Sequence, residues 1–336
     1  MSDKRFHVTA MGAALVDVYA QISEDKLTAL GSQKGAMTLI DADQAATMLD
    51  TLTIESKASG GSAANTIAGI AAHGQNTAFV GKVAADELGA FFTDEMSSGG
   101  ITFPGKPLEG GDPTGRCIVL ITPDAERTMH TLIGAAAATS ASDLDMDVLS
   151  STACFFSEGY VFDSPTTTEA FHVGAERVRA AGGRVAFSLS DPFCVERHMD
   201  KFTSLLAHDV DLVLGNAAEA AALFGTTNMA DITAAISANG YDAVITRGDE
   251  GAVVVMDGTV TDVAAVPVAR IVDLTGAGDQ FAAGFLSGLA LGKSARECGH
   301  MGAVAAAEVI SHIGPRPQAD MRTLFADAKI ELGPKG

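Results

Sequence analysis

From residue 153 onward, short apolar runs alternate with longer segments of helical spacing, and this alternation constrains the fold more than any other feature. Strands are predicted over 153–156, 184–189, 212–214, 243–246 and 252–256. Helices are predicted over 166–181, 217–224, 232–238, 280–291 and 295–310. Repeated strand–helix units imply a doubly wound, mostly parallel sheet with helices on both faces. The same rhythm opens the chain, with strands over 6–12 and 77–81 and helices over 62–72 and 86–96. Ligands in such sheets sit at the carboxyl ends of the strands.

The rhythm breaks twice. Residues 19–38 are mixed and suit short strands. Residues 104–113 are rich in Pro and Gly, and two strands follow over 116–122 and 127–133 around the turn Pro123-Asp124-Ala125-Glu126. These pieces predict a small β-sheet lid made of 19–40 and 111–133. The α/β core takes 1–18, 41–110 and 134–336.

Composition narrows the chemistry. The 336 residues hold 22 Lys plus Arg against 42 Asp plus Glu, a formal charge of −20. That surface repels nucleic acid and anionic membranes. No secretory core follows Met1-Ser2-Asp3, and the charge-free run 58–81 carries too many polar residues to span a bilayer. Cys117, Cys154, Cys194 and Cys298 form no Cys-x-x-Cys pair. A cytoplasmic enzyme of small molecules is expected, either monomer or homodimer.

Five motifs carry that expectation. In Asp273-Leu274-Thr275-Gly276-Ala277-Gly278-Asp279, two glycines let the chain turn tightly into an apolar helix. The helix start offers free N–H groups to an anion. Asp279 is then either a cap of that helix or a general base beside an anion hole. In Ser59-Gly60-Gly61-Ser62-Ala63-Ala64-Asn65 the glycines allow close backbone approach to a neutral ligand, and Asn65 both donates and accepts. Asp17 follows the first strand, where a carboxylate either closes a turn or accepts from two neighbouring hydroxyls. Asn216 and Glu219, three apart after the strand 212–214, either cap a helix or hold hydrated Mg²⁺. Thr246-Arg247-Gly248-Asp249-Glu250-Gly251 joins two predicted strands, as a plain hairpin turn or as the edge of a nucleotide site.

Taken in order, Gly60-Gly61 with Asn65, Asn216-x-x-Glu219 and the segment ending at Asp279 resemble the ribokinase (PfkB) family of carbohydrate and nucleoside kinases. The resemblance covers nearly the whole chain. Pro113-Thr114-Gly115-Arg116-Cys117, Ser188-Leu189-Ser190-Asp191-Pro192-Phe193 and Gly314-Pro315-Arg316-Pro317 are similar to its adenosine kinase branch. The resemblance implies an ATP- and Mg²⁺-dependent kinase for the 5′-hydroxyl of a ribonucleoside, adenosine above all. A sugar kinase for ribose or a ketohexose is the alternative, and an inactive nucleoside-binding protein is a third reading. It implies that Asp279 is the base and that the turn Gly276-Ala277-Gly278 leading into it forms the anion hole, through the backbone N–H groups of Ala277, Gly278 and Asp279. Asp17, Gly60, Gly61 and Asn65 would hold the ribose, with Met129 and Tyr160 near the base. Arg127, Asn216, Glu219, Thr246, Gly248, Gly251 and His300 would face ATP, Glu219 reaching Mg²⁺ through water. Asp273 and Thr275, with backbone near Ser311 and Gly314, would serve a monovalent cation such as K⁺.

Overall fold

The structure, a computed structural model, describes residues 4–124 and 126–332. Met1-Ser2-Asp3 and Ala125 of the predicted hairpin turn lie outside those residues. Nine strands form one sheet in the order Thr259–Val263, Ala252–Met256, Asp242–Thr246, Leu212–Asn216, Arg184–Ser188, Thr152–Glu158, Phe6–Met11, Thr77–Val80, Ile101–Thr102. All neighbours pair in parallel except the two involving Ala252–Met256. Apart from the mostly exposed edge strand Thr259–Val263, the sheet is buried on both faces, which is why its inner strands read as apolar runs.

Side-chain alternation separates two cores. Cys154, Phe156, Val8, Ala10 and Val254 face one layer, which contains the helices Ser62–Ala72 and Ala277–Ala290. Phe155, Phe187, Val185 and Val213 face the other, with the helices Pro165–Ala180 and Met199–His208. The small residues have a defined use on the first face. A Cβ at Gly284 would stand 2.3 Å from the Met301 carbonyl oxygen, so only glycine lets Ala277–Ala290 press against the helix Ala295–Val309. That contact fixes the helix that carries Asp279.

A second sheet has the order Met37–Leu39, Arg127–Leu132, Gly115–Ile121, Leu15–Gln21, Ser56–Gly60. The predicted hairpin is present, with Arg116 opposite Leu132 and Ile121 opposite Arg127. Its own core comprises Ala20, Ile22, Leu27, Ala45, Ile118, Leu120 and Leu132. The small sheet is wider than 19–40 plus 111–133. Leu15–Gln21 runs through residue 18 without a break, and Ser56–Gly60 pairs with it in antiparallel register. Asp17 and Gly60 therefore stand on the small sheet. Within 19–38, the helix Glu24–Ala29 forms because Ser23 caps it. The helices Pro192–Arg197 and Met199–His208 and the strand Thr259–Val263 go beyond the sequence expectation.

Candidate active site

The carboxyl ends of the central strands, the first turn of Ala277–Ala290 and the edge of the small sheet converge on one cleft. Gly276 enters the helix at φ +79°, and a Cβ there would meet Pro315 at 2.6 Å. The Ala277 N–H is taken by the Leu274 carbonyl at 3.2 Å. Among the described residues no acceptor engages the N–H groups of Gly278 and Asp279. These two, rather than Ala277, are the open donors of the turn.

Asp279 is held from the facing helix. Ser62 Oγ donates to its Oδ1 at 2.7 Å, and Asn65 Nδ2 donates to its Oδ2 at 3.1 Å. Thr66 Oγ1 donates to its carbonyl at 3.2 Å. Burial pushes the Asp279 carboxyl up to about 6, and the two side-chain donors oppose that rise. Gly276 is the N-cap and no side chain caps this helix, so Asp279 is not a cap; its carboxylate is tied instead to Ser62–Ala72.

Asp17 faces the same cleft from the small sheet. Burial lifts it to about 6, Arg316 opposes the rise, and Asp279 adds to it. A Cβ on Gly60 would stand 2.5 Å from the Asp17 carboxylate, so glycine is needed for the two to meet. Gly61 has φ +97°, and its Cβ would lie 2.3 Å from the Ala13 carbonyl oxygen. The predicted glycines thus do bring backbone close, here to the loop carrying Asp17.

Two residues gained no role from the sequence pattern. Glu158, the buried last residue of the central strand Thr152–Glu158, accepts from Ala13 N at 2.9 Å and Ala63 N at 2.7 Å. It therefore ties the loop before Asp17 to the start of the helix bearing Ser62 and Asn65. Burial raises its carboxyl to about 7. The second is Arg316, whose Nε donates to Asn65 Oδ1 at 3.4 Å. No local spacing signals either residue, because each partner is more than 90 positions away.

Arg127 reaches from the small sheet to the loop before the helix Ala277–Ala290. Its Nη2 pairs with Asp273 Oδ2 at 2.7 Å and its Nη1 donates to Thr275 Oγ1 at 2.8 Å. Asp273 also accepts from Thr275 N at 3.0 Å and Gly314 N at 2.9 Å. Donors thus engage both of its oxygens, and a guanidinium supplies the positive charge there. The geometry gives no support to a K⁺ site at Asp273 and Thr275.

An apolar cavity of about 450 Å³ opens beside Gly278. Thr246, Gly248 and Gly251 line one side, and Val268, Leu274 and Phe281 line others. His300 lies on Ala295–Val309 but is not among the lining residues. Asn216 and Glu219 cap each other at the start of the helix Ala217–Phe224. Burial lifts Glu219 to about 7, with Asp191 and Asp279 adding to the rise. Tyr160 packs against the core of the opposite face, its hydroxyl donating to Asp191 Oδ2 at 2.6 Å. Met129 sits opposite Val119 in the small sheet and donates its N–H to the Ala36 carbonyl. No hydrogen bond ties Tyr160 or Met129 to Asp17 or Asp279 among the described residues.

Comparison with known proteins supplies the fold and the family. The chain is similar to the crystal structure of adenosine kinase from Sinorhizobium meliloti, with 38% identity, a TM-score of 0.89, and 96% of this chain and 99% of that one covered. It is equally similar to a probable sugar kinase from Rhizobium etli, at 36% identity and TM-score 0.90 over 97% and 99% of the two chains. Adenosine kinase of Dictyostelium discoideum is 28% identical over 257 residues, 71% of this chain and 74% of that protein. The model of the pfkB family carbohydrate kinases matches residues 26–321, and the chain belongs to that family of phosphotransferases with an alcohol acceptor.

Proposed function

We propose that the chain transfers the γ-phosphoryl group of ATP to the 5′-hydroxyl of a ribonucleoside, with adenosine as the first candidate. The observation that carries this reading is Asp279: a carboxyl raised to about 6, beside two open N–H donors and facing Asp17 across one cleft. Asp17 would accept from two ribose hydroxyls while Asn65 and the Gly60-Gly61 backbone flank them. That leaves the 5′-hydroxyl toward Asp279, which takes its proton as the oxygen attacks phosphorus. The N–H groups of Gly278 and Asp279 meet the charge that develops on the transferring group. The adenine of ATP fits the apolar cavity, with Thr246, Gly248 and Gly251 at its rim.

Mg²⁺ suits the carboxylates present. Burial and the nearby charges of Asp191 and Asp279 hold the Glu219 carboxyl up at about 7, and Asn216 and Glu219 would hold the ion through water. The ion would neutralise phosphate charge when bound. The hairpin around residues 111–133 would act as the lid, with 19–40 beside it. Arg127 on that lid is already anchored at Asp273 and Thr275, next to the anion hole.

A free sugar is the second reading. Tyr160 packs against the core of the opposite sheet face with its hydroxyl on Asp191, and no contact ties its ring to the Asp17 side of the cleft among the described residues. The likeness to the Rhizobium etli protein supports the same alternative. An ATP-consumption screen over adenosine, inosine, ribose and fructose, compared as kcat/KM, separates the two. Turnover of the sugars alone refutes the nucleoside reading. Asp279→Asn should lower kcat by at least roughly 10²-fold without loss of fold, and near-normal turnover in that variant refutes the base assignment.

A further inference from the structure

We propose that Arg316 is a positioning residue for this reaction, orienting the Asn65 amide toward Asp279 and offering a second N–H to an oxygen of the substrate beside Asp17. The inference rests on the kinase reading above and deepens it. Two observations carry it.

The first is the orientation of Asn65. Its amide lies between a guanidinium and a carboxylate. Arg316 Nε donates to Oδ1 and Asn65 Nδ2 donates to Asp279 Oδ2. The reversed amide would set its NH₂ against the guanidinium and its oxygen against the carboxylate, so both contacts would repel. Arg316 thereby keeps a hydrogen-bond donor on the reacting carboxylate. The Asn65 main chain is fixed as well, since Gln280 Nε2 donates to its carbonyl at 3.0 Å and to the Pro315 carbonyl at 2.9 Å. Gln280 thus ties the loop bearing Arg316 to the helix bearing Asn65.

The second is an unused donor. Arg316 Nη2 is buried and has no hydrogen-bond partner in the protein. Buried donors normally find an acceptor, and an orphan at a reaction site marks where a ligand belongs. Asp17, Glu95 and Tyr19 are the charged and titratable groups whose fields reach this guanidinium. Asp17 accepts hydrogen bonds and Arg316 donates them. A hydroxyl giving its proton to Asp17 keeps lone pairs for Arg316, so the fitting ligand oxygen belongs to a polyol such as a ribose diol. The charged groups near Asp279 are Asp17, Glu158 and Glu219, each of which is raised by the Asp279 charge.

The test uses the whole enzyme with Arg316→Met, which keeps bulk and removes every donor, and Arg316→Lys, which keeps the charge. Calorimetry with adenosine and with ribose, without ATP, reads the free donor. Weakening of roughly 10- to 100-fold in Arg316→Met supports the contact, and unchanged affinity overturns it. The pH profile of kcat/KM for whichever substrate turns over reads the Asn65 relay. Its acid limb should move to higher pH in both variants, because a donor to ionised Asp279 is loosened. A uniform loss at all pH values would mean a merely structural role and overturn the relay. If Arg316→Met does not fold, Arg316→Lys decides by the same two readouts. An enzyme that binds the probe but never consumes ATP sinks the kinase reading, while the binding comparison still decides the contact.

Discussion

Ser62→Ala tests the electrostatics of the site directly. Ser62 Oγ donates to Asp279 Oδ1 at 2.7 Å and is the shorter of the two side-chain bonds to that carboxylate. A hydrogen bond to a charged group contributes about 1.5–3 kcal/mol. Taking the low end, its loss raises the Asp279 carboxyl by about one pH unit, since one unit corresponds to about 1.4 kcal/mol. The starting value is about 6. At pH 6 the ionised fraction then falls from about one half to about one tenth, a roughly fivefold loss of kcat/KM. At pH 8 both forms are almost fully ionised, and the rates should agree within about 10%. Alanine at the first turn of Ser62–Ala72 is a good helix former, so the fold should hold. The assay is kcat/KM from pH 5 to 9, with ADP measured by chromatography so that no coupling enzyme limits the acid end. An acid limb that stays in place, or a loss of equal size at every pH, would refute the idea that Ser62 stabilises ionised Asp279.

Gly60→Ala should push Asp17 out of register, because the new Cβ would stand 2.5 Å from its carboxylate. We expect the substrate KM to rise about tenfold or more while the KM for ATP holds; steady-state kinetics in both substrates will show it. Ala306→Phe fills the wall of the apolar cavity, so it should raise the KM for ATP about tenfold with little change for the acceptor. Glu158 has its folded value raised to about 7 from 4.5. Its contribution to stability is therefore full below the unfolded value and is lost as pH rises through about 7. Glu158→Gln should remove up to about 1.4 kcal/mol per pH unit of that slope. Urea midpoints measured between pH 4.5 and 7.5 would contradict this if the slope were unchanged.

Much of the site could be read along the chain wherever function and local conformation share a few consecutive residues. Gly276 and Gly278 lead into a helix whose first turn keeps open N–H groups, and Asn216 and Glu219 sit three apart because one helix turn joins them. The alternation of strands and helices after residue 153 likewise specified a parallel sheet, since strands buried on both faces must be apolar throughout. Anchors formed between distant segments left no such trace. Glu158 reaches back 145 residues to Ala13, Arg316 reaches back 251 residues to Asn65, and Arg127 on the small sheet meets Asp273 in a loop 146 residues on. The Leu15–Gln21 strand belongs to the small sheet because Ser56–Gly60 and Gly115–Ile121 flank it, and spacing within 15–21 names neither neighbour. The order of residues therefore set which groups can react and which turns can present them. Tertiary packing alone decided their proton affinities, the direction of the Asn65 amide and the burial of Arg316. Those properties depend on distances and desolvation between segments that the chain keeps far apart until it folds.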